Sequence, residues 1–242
     1  THGSDGVANI NNLNLITGFG TWSAFVLPYS RERNFAGPEG RPGLPLREPV
    51  VQAAVAQGIP VLGDIELFAW QLRSDPAARV LAVTGTNGKT TVTALTGHLL
   101  RAAGIDCEVA GNIGPAALAA LMARKAPPAA WVLELSSYQL ETTWSLDPDA
   151  AVLLNLSEDH LDRYAGLDEY GAAKARIFQG EGVQVLNRDD ARSMAQALPG
   201  REQVSFGLGE PGAEGHWGIG GGSIREGALP VLPLAELQVH GA

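Results

Sequence analysis

The sequence predicts an α/β fold built on a mostly parallel sheet. Short apolar runs that suit buried strands alternate along the chain with longer stretches that suit helices. One junction between them, Gly85-Thr86-Asn87-Gly88-Lys89-Thr90-Thr91, has the composition of a loop that binds phosphate. Because ligands of open parallel sheets bind at the carboxyl ends of the strands, we expect the chemistry of this protein at that edge.

The main unit of the chain is predicted to contain four core strands and five helices. The strands cover residues 80–84, 131–135, 151–156 and 183–186, and the helices cover residues 90–103, 115–124, 138–145, 167–178 and 189–198. After residue 206 the sequence becomes rich in glycine, and strand candidates lie near 222–224 and 229–232. This last stretch predicts a β-hairpin at the rim of the unit.

The first region of the chain gives weaker signals. Residues 13–20 could form a strand that enters a glycine turn, and residues 34–47 are typical of a loop. Further predicted elements are a helix with Pro49 in its first turn and Val50 to Gln57 as its body, an edge strand at Ile59-Pro60-Val61-Leu62, and a helix capped by Asp64 and running to Arg73. Residues 74–76 resemble a linker, so a domain boundary is predicted near residue 76.

Charge and cysteine content exclude some classes of function. The formal net charge is −9 and the pI is about 5.0, which argues against a nucleic-acid partner. The single Cys107 allows no internal disulfide framework and fits the reducing cytoplasm. No apolar run approaches the roughly 18 residues that a membrane-crossing helix needs, so no membrane partner is expected.

The glycine loop carries the clearest chemistry. Its glycines allow a tight turn whose N–H groups point at one anion, and the following helix adds partial positive charge. Lys89 can reach the outer phosphates of a nucleotide, and the Thr90 hydroxyl can ligate Mg²⁺. The alternative is a glycine turn before an ordinary helix, although packing gives no reason for the Lys-Thr-Thr sequence. Val83 departs from the longer form of the motif, which has glycine there.

Polar residues also follow other predicted strands. Glu134 comes at the end of an apolar strand, where a carboxylate can complete the shell of a nucleotide-bound Mg²⁺ or can simply be a surface acid. Ser136, Ser137 and Gln139 offer neutral hydrogen-bonding groups at the same edge. Asn112 lies in a glycine-bracketed turn, where its amide could hold a substrate or stabilise the turn.

Two further candidates are a histidine and a lysine. His160 follows the strand predicted at 151–156, and its imidazole could ligate metal or meet a phosphate, although a lone histidine is usually structural or solvated. Lys174 shares the apolar stripe of the helix predicted at 167–178. A desolvated lysine tends to be neutral and can react with CO₂ to give a carbamate, an anionic metal ligand. The pattern equally allows a lysine that extends its ammonium group into solvent.

Together these motifs resemble the Mur ligases, ATP-dependent enzymes that build the peptide of bacterial cell-wall precursors. The loop is typical of that superfamily, which also includes the folylpolyglutamate synthases. The other segments that carry the resemblance are GDIELF (63–68), GNIG (111–114), LELSSYQLE (133–141), NLSEDHLDRY (155–164) and AK (173–174). The resemblance is close from about residue 44 to 206 and looser from there to 242.

The resemblance implies a domain plan. A Rossmann-like N-terminal domain that binds a UDP-linked substrate is expected over residues 1–76, although residues 1–43 match poorly and Arg41-Pro42-Gly43 stands where Ser-Pro-Gly is usual. A P-loop-type ATPase domain with a mostly parallel sheet is expected over residues 77–242, incomplete at its C-terminal end. The C-terminal domain of the family would be absent, so the sequence is expected to be a fragment.

The resemblance also implies a reaction. ATP would phosphorylate the carboxylate of UDP-N-acetylmuramoyl-L-alanine, and the amine of D-glutamate would attack the acyl phosphate. Such an enzyme would serve peptidoglycan precursor synthesis in the cytoplasm, and we expect it to be a monomer. The alternatives are a ligase like folylpolyglutamate synthase and an inactive nucleotide-binding fragment.

The roles implied by the resemblance fall on specific residues. Catalytic roles fall on Lys89, Glu134, His160 and Lys174. The ATP phosphates would bind Gly85, Thr86, Asn87, Gly88, Lys89, Thr90 and Thr91, and the muramoyl substrate would bind Asn112, Ser136, Gln139 and His160. Two Mg²⁺ ions would be held by Thr90, Glu134, His160 and Lys174, the last as a carbamate. The resemblance thus favours the carbamate of Lys174 over an ammonium group that extends into solvent.

Overall fold

A computed structural model describes residues 25–26, 46–73, 77–159 and 163–237. The strands are β1 (Phe25–Val26), β2 (Val61–Leu62), β3 (Arg79–Thr84), β4 (Cys107–Gly111), β5 (Ala130–Glu134), β6 (Ala150–Leu153), β7 (Val183–Asn187), β8 (Gln203–Phe206), β9 (Trp217–Gly220), β10 (Ser223–Glu226) and β11 (Leu229–Pro233). The helices are α1 (Pro49–Ala56), α2 (Asp64–Leu72), α3 (Lys89–Ala102), α4 (Ala117–Ala123), α5 (Ser137–Glu141), α6 (Leu167–Ala175) and α7 (Ala191–Met194). Short 3₁₀ turns follow at Arg176–Phe178 and Leu234–Glu236.

Nine of the strands form one sheet in the order β11-β10-β9-β8-β7-β6-β3-β5-β4. The pairs from β4 to β9 are parallel, and β9, β10 and β11 continue as an antiparallel meander. The α/β class with a mostly parallel sheet is therefore confirmed, as is the hairpin predicted after residue 206. Register places Gly111 and Val83 beside Glu134, and Thr84 beside Leu153, so the ends of four strands share one edge.

The structure contains four strands that the sequence did not predict, β1, β4, β8 and β9, and two of the predicted helices are shorter than expected. Strands β4, β8 and β9 were not predicted, because each carries polar or glycine residues that interrupt an apolar run. The helix predicted at 138–145 is only α5, which ends at Glu141, and the helix predicted at 189–198 is only the single turn α7. The strand predicted to reach Leu156 ends at Leu153.

The core of the large sheet centres on β5, whose five residues are all buried. Helix α3 packs against β3, β4 and β5. Helix α2 contributes Ile65, Phe68 and Ala69 to the same core, and the rings of Phe68 and Trp131 meet edge to face with centroids 5.0 Å apart. The boundary predicted near residue 76 stays a prediction, and the linker residues 74–76 lie outside the described part.

The first region contributes a second, smaller sheet. Strand β2 pairs in parallel with β1, with Phe25 opposite Val61. Helix α1 begins at Pro49, as predicted, and ends at Ala56. Helix α2 begins at Asp64 itself with Gly63 in the N-cap position, so the prediction that Asp64 caps this helix was wrong. The predictions for residues 13–20, and for most of 34–47 including Arg41-Pro42-Gly43, lie outside the described residues.

In the described ranges, every helix is too short or too polar to cross a membrane.

A buried acid fastens α2 to the loop after α5. Glu66 is 2% exposed, and its Oε2 accepts hydrogen bonds from the main-chain N–H groups of Trp144 at 2.7 Å and Ser145 at 2.9 Å. Its Oε1 accepts from the indole of Trp70 at 2.7 Å and from the Ser145 hydroxyl at 2.5 Å. One carboxylate thus accepts from four donors. Two of these are the main-chain N–H groups of Trp144 and Ser145, for which the described residues provide no other acceptor.

We expect Glu66→Ala to destabilise the fold by about 2 to 4 kcal/mol, because it removes a buried carboxylate that accepts from four partly buried donors. Chemical denaturation with a tryptophan fluorescence readout measures this loss. The exposed Glu202 provides a matched control, and Glu202→Ala should change the free energy of unfolding by less than about 0.5 kcal/mol. Equal stability of the two variants would contradict the anchoring role.

Candidate active site

The glycine loop lies where the sequence predicted it, between the end of β3 at Thr84 and the start of α3 at Lys89. Gly88 occupies the N-cap position with φ at 80°, a conformation that favours glycine. The first N–H groups of α3 have no acceptor within the helix, so this end of the helix is suited to bind an anion.

The Lys89 side chain folds back over the loop. Its Nζ donates to the carbonyl oxygens of Gly85 at 3.0 Å and Thr86 at 2.9 Å. Burial lowers the pKa of Lys89, while the negative charges of Glu134 and Asp159 act in the opposite direction. The ammonium therefore lies on the loop itself, beside the edge where an anion would bind.

Glu134 is the centre of the candidate site. It is 1% exposed, and its Oε2 accepts a hydrogen bond from the Thr90 hydroxyl at 2.8 Å. Its Oε1 accepts from the Asn112 amide at 2.5 Å, and the Asn112 N–H donates to the Glu134 carbonyl oxygen at 2.7 Å. The carboxylate thus joins the start of α3 to the turn after β4. The surface-acid alternative does not describe this buried residue.

The close approach of β4 and β5 at this point requires glycine. A Cβ on Gly111 would lie 2.3 Å from the Glu134 carbonyl oxygen, and φ at Gly111 is 108°. A larger residue would push Asn112 away from the carboxylate. Of the two glycines that bracket Asn112 in the sequence, Gly111 therefore has a structural reason, whereas a Cβ on Gly114 would meet open space.

Ser136 and Gln139 have a structural role that the sequence analysis missed. The Ser136 hydroxyl accepts from the Gln139 N–H at 3.2 Å, and Gln139 Oε1 accepts from the Ser136 N–H at 3.1 Å. This reciprocal pair is a capping box at the start of α5. The serine and glutamine three residues apart are its sequence signal. A substrate role for either side chain stays a prediction, and Ser137 is buried.

A buried acid lies beside this cap. Neither carboxylate oxygen of Asp64 has a hydrogen bond of normal geometry, and the same holds for Gln139 Nε2. Burial raises the pKa of Asp64 to about 6, and the nearby Gln139 amide partly offsets this shift. The sequence pattern, which predicts Asp64 as a helix cap, gives no sign that Asp64 and Gln139 lie close together.

Lys174 is buried, with 1% of its surface exposed. Its Nζ lies 4.6 Å from the centre of the Tyr170 ring. Burial lowers the pKa of Lys174 to about 7, the positive charge of Lys89 adds to this shift, and Asp159 and Glu134 oppose it. Of the two alternatives, the solvent-directed lysine is therefore wrong. His160 lies outside the described residues, so its position stays a prediction.

The site also contains a residue that the sequence analysis passed over. Asn155 follows β6, and its side chain bonds to the main chain of Asn87 in the glycine loop. The signal was available, because Asn155 follows a core strand just as Glu134 ends one. It was missed because β6 was predicted to run on to Leu156, which placed Asn155 inside a strand.

The oxygen donors fit a small divalent cation. The Thr90 hydroxyl and the Glu134 carboxylate are the hard oxygen ligands that Mg²⁺ prefers, and they already touch each other. Across the described residues, no cluster of three His, Cys, Asp or Glu side chains could hold a metal alone. This composition suits a cation that arrives with a nucleotide and takes its remaining ligands from phosphate and water.

Comparison with known proteins gives a consistent result. Residues 83–218 match the family description "Mur ligase middle domain". The chain is 51% identical over 246 aligned residues to the UDP-N-acetylmuramoylalanine--D-glutamate ligase of Nitrosomonas europaea, covering 95% of this chain and 52% of the relative. It is 54% identical over 211 residues to the ligase of that name from Nitrosospira multiformis, covering 83% and 45%. The chain thus spans about half the length of these curated relatives.

A solved structure shares the fold. The UDP-N-acetylmuramate:L-alanyl-gamma-D-glutamyl-meso-diaminopimelate ligase from Neisseria meningitides superposes with a TM-score of 0.52 and 19% identity. The superposition covers 84% of this chain and 64% of that structure. At this identity the likeness concerns the fold alone.

The buried amine of Lys174 predicts a dependence of stability on pH. The folded state releases its proton near pH 7, whereas an unfolded lysine keeps it until about pH 10.4. Between these two pH values, unfolding of the wild type takes up a proton. The free energy of unfolding of the wild type, relative to that of Lys174→Met, should therefore rise with pH, by at most about 1.4 kcal/mol per pH unit. Urea unfolding from pH 6.5 to 9.5, in chelator and CO₂-free buffer, measures this difference. A difference that does not vary with pH would contradict the burial of the amine.

Proposed function

Because the chain belongs to the Mur ligase family, we propose that the protein is an ATP-dependent ligase that adds D-glutamate to UDP-N-acetylmuramoyl-L-alanine. The observation that carries the proposal is the Glu134 carboxylate, held between Thr90 of the phosphate loop and Asn112 of the next turn. The substrate class comes from the names of relatives that are 51% and 54% identical to this chain over the aligned residues.

In the proposed reaction, a carboxylate oxygen of the muramoyl-alanine attacks the γ-phosphorus of ATP. The bond from that phosphorus to the bridging oxygen breaks, giving an acyl phosphate and ADP. The amine of D-glutamate then attacks the acyl carbon, phosphate leaves with the electrons of the carbon–oxygen bond, and the nitrogen loses a proton. The product is an amide.

The residues of the loop have distinct parts in this scheme. Lys89 leaves the carbonyl oxygens of Gly85 and Thr86 and places its ammonium on the phosphates, where it balances their charge. The first N–H groups of α3 orient the same phosphates. Asn112, whose amide is fixed by Glu134, is placed to orient the substrate carboxylate.

Metal binding follows from the same arrangement. Thr90 and Glu134 would hold one Mg²⁺, and His160 with a carbamate on Lys174 would hold or support a second. Bound Mg²⁺ offsets the repulsion between the phosphates and the attacking carboxylate. The burial of Lys174 and its pKa of about 7 support the carbamate, since only a neutral amine adds CO₂. We also propose that the enzyme is a monomer and acts in the cytoplasm, which supplies ATP and keeps the free thiol of Cys107 reduced.

The proposal is tested by ADP release from the intact protein. We expect sustained, multiple-turnover release only when UDP-N-acetylmuramoyl-L-alanine and D-glutamate are both present, because D-glutamate consumes the acyl phosphate, and no sustained release with a folate and L-glutamate. Lys89→Met should lower kcat/KM at least ~10³-fold, because the transferred phosphate loses its only nearby loop cation, whereas Lys125→Met on the exposed surface should leave it unchanged. Turnover with the folate pair would support the folylpolyglutamate alternative, and nucleotide binding without turnover would support the inactive-fragment alternative.

The carbamate is tested separately by carbon NMR. In ¹³C-bicarbonate the wild-type protein should show a protein-bound carbamate signal that disappears in Lys174→Met. A spectrum identical for both proteins at neutral and mildly alkaline pH would contradict the modification and would leave the ligase assignment standing.

A further inference from the structure

We propose that Asn155 is a positioning residue that holds the phosphate loop in the shape that receives ATP. The inference rests on the proposed function and concerns the same site. Asn155 Oδ1 accepts a hydrogen bond from the Asn87 N–H at 2.9 Å, and its Nδ2 donates to the Asn87 carbonyl oxygen at 3.1 Å. The side-chain amide of Asn155 thus hydrogen-bonds to both the main-chain N–H and the main-chain carbonyl oxygen of Asn87.

The main chain around Asn155 makes the same connection. Beyond the paired residues of β3 and β6, the Leu154 N–H donates to the Thr84 carbonyl oxygen at 2.9 Å, and the Thr86 N–H donates to the Asn155 carbonyl oxygen at 3.0 Å. The Thr86 hydroxyl accepts from the Ser157 N–H at 3.1 Å. The segment after β6 therefore extends the sheet pairing along the loop after both strands have ended.

These contacts divide the N–H groups of the loop into two sets. Those of Thr86 and Asn87 point towards residues 155–157 and are used for anchoring. The N–H groups at the start of α3 have no acceptor within the helix and stay available to an anion. If the Asn87 peptide were free to rotate, its carbonyl oxygen could turn towards the phosphates and repel them. Asn155 prevents this rotation.

Only asparagine fits this position well. Its amide offers a donor and an acceptor at the spacing of a peptide group, so it can pair with Asn87 as a neighbouring strand would. Aspartate has the same shape but offers two acceptors, one of which would face the Asn87 carbonyl oxygen. Alanine offers neither group. The two substitutions therefore separate shape from hydrogen bonding.

The experiment compares Asn155→Ala and Asn155→Asp with Asn187→Ala in the intact protein. Asn187 is a matched control because its Nδ2 also donates to the segment after β6, to the Leu154 carbonyl oxygen at 2.8 Å, without contacting the loop. We expect both Asn155 variants to raise the KM for ATP by about tenfold, with the KM for the muramoyl substrate changed less than about twofold. Hydrogen exchange in peptide 84–91 should become faster in both variants.

A selective loss for ATP is not expected from general destabilisation, which would affect both substrates or only the melting temperature. A wild-type KM for ATP in either Asn155 variant, or an equal rise in Asn187→Ala, would overturn the positioning role and leave the ligase assignment intact. If Asn155→Ala does not fold, Asn155→Asp decides the question, because it keeps the shape and the acceptor for the Asn87 N–H. Absence of ATP turnover in the wild type would overturn the proposed function and this inference with it.

Discussion

The candidate site depends on one buried carboxylate. Glu134 ends the most deeply buried strand of the sheet, where an unpaired charge would cost far more than the fold could tolerate. The Thr90 hydroxyl and the Asn112 amide supply the partners, and both are held there by their own elements. Satisfying this carboxylate thereby fixes the start of α3 and the turn after β4. The same oxygens are available to a cation that arrives with its own phosphate ligands.

The rest of the site is arranged around that point. On the other side of the loop, Asn155 and Thr86 continue the pairing of β3 and β6 beyond the ends of these strands. Burial and the positive charge of Lys89 lower the pKa of Lys174, and the negative charges of Asp159 and Glu134 only partly offset this shift. The loop is therefore flanked by the fixed Glu134 carboxylate, the fixed Asn155 amide and the Lys174 amine, whose pKa is lowered. Such preorganisation suits a reaction that brings several anions together.

Much of this arrangement could be predicted from the sequence, because it follows from the order of the elements. A glycine loop between strand and helix, and a polar residue where a parallel strand ends, located Lys89, Thr90 and Glu134 at one edge. Asn112 was a candidate only as part of a glycine-bracketed turn, because the strand before it was not predicted. The capping role of Ser136 and Gln139 has a local sequence signal but does not follow from the order of the elements. The proximity of Asp64 to Gln139 depends on packing between distant segments, which leaves no pattern in the sequence. Strand β4 was missed because Glu108 and Gly111 interrupt its apolar run.

In the proposed mechanism, the Glu134 charge serves phosphoryl transfer as well as the fold. Glu134→Gln keeps the shape of the side chain and an acceptor for Thr90, so it separates the two roles. The measurement is Mg²⁺-dependent ADP release by the intact protein, with the free energy of unfolding determined in parallel. We predict a fall in kcat of at least ~10²-fold with stability changed by less than about 1.5 kcal/mol. Wild-type turnover in a stably folded Glu134→Gln protein would contradict the account.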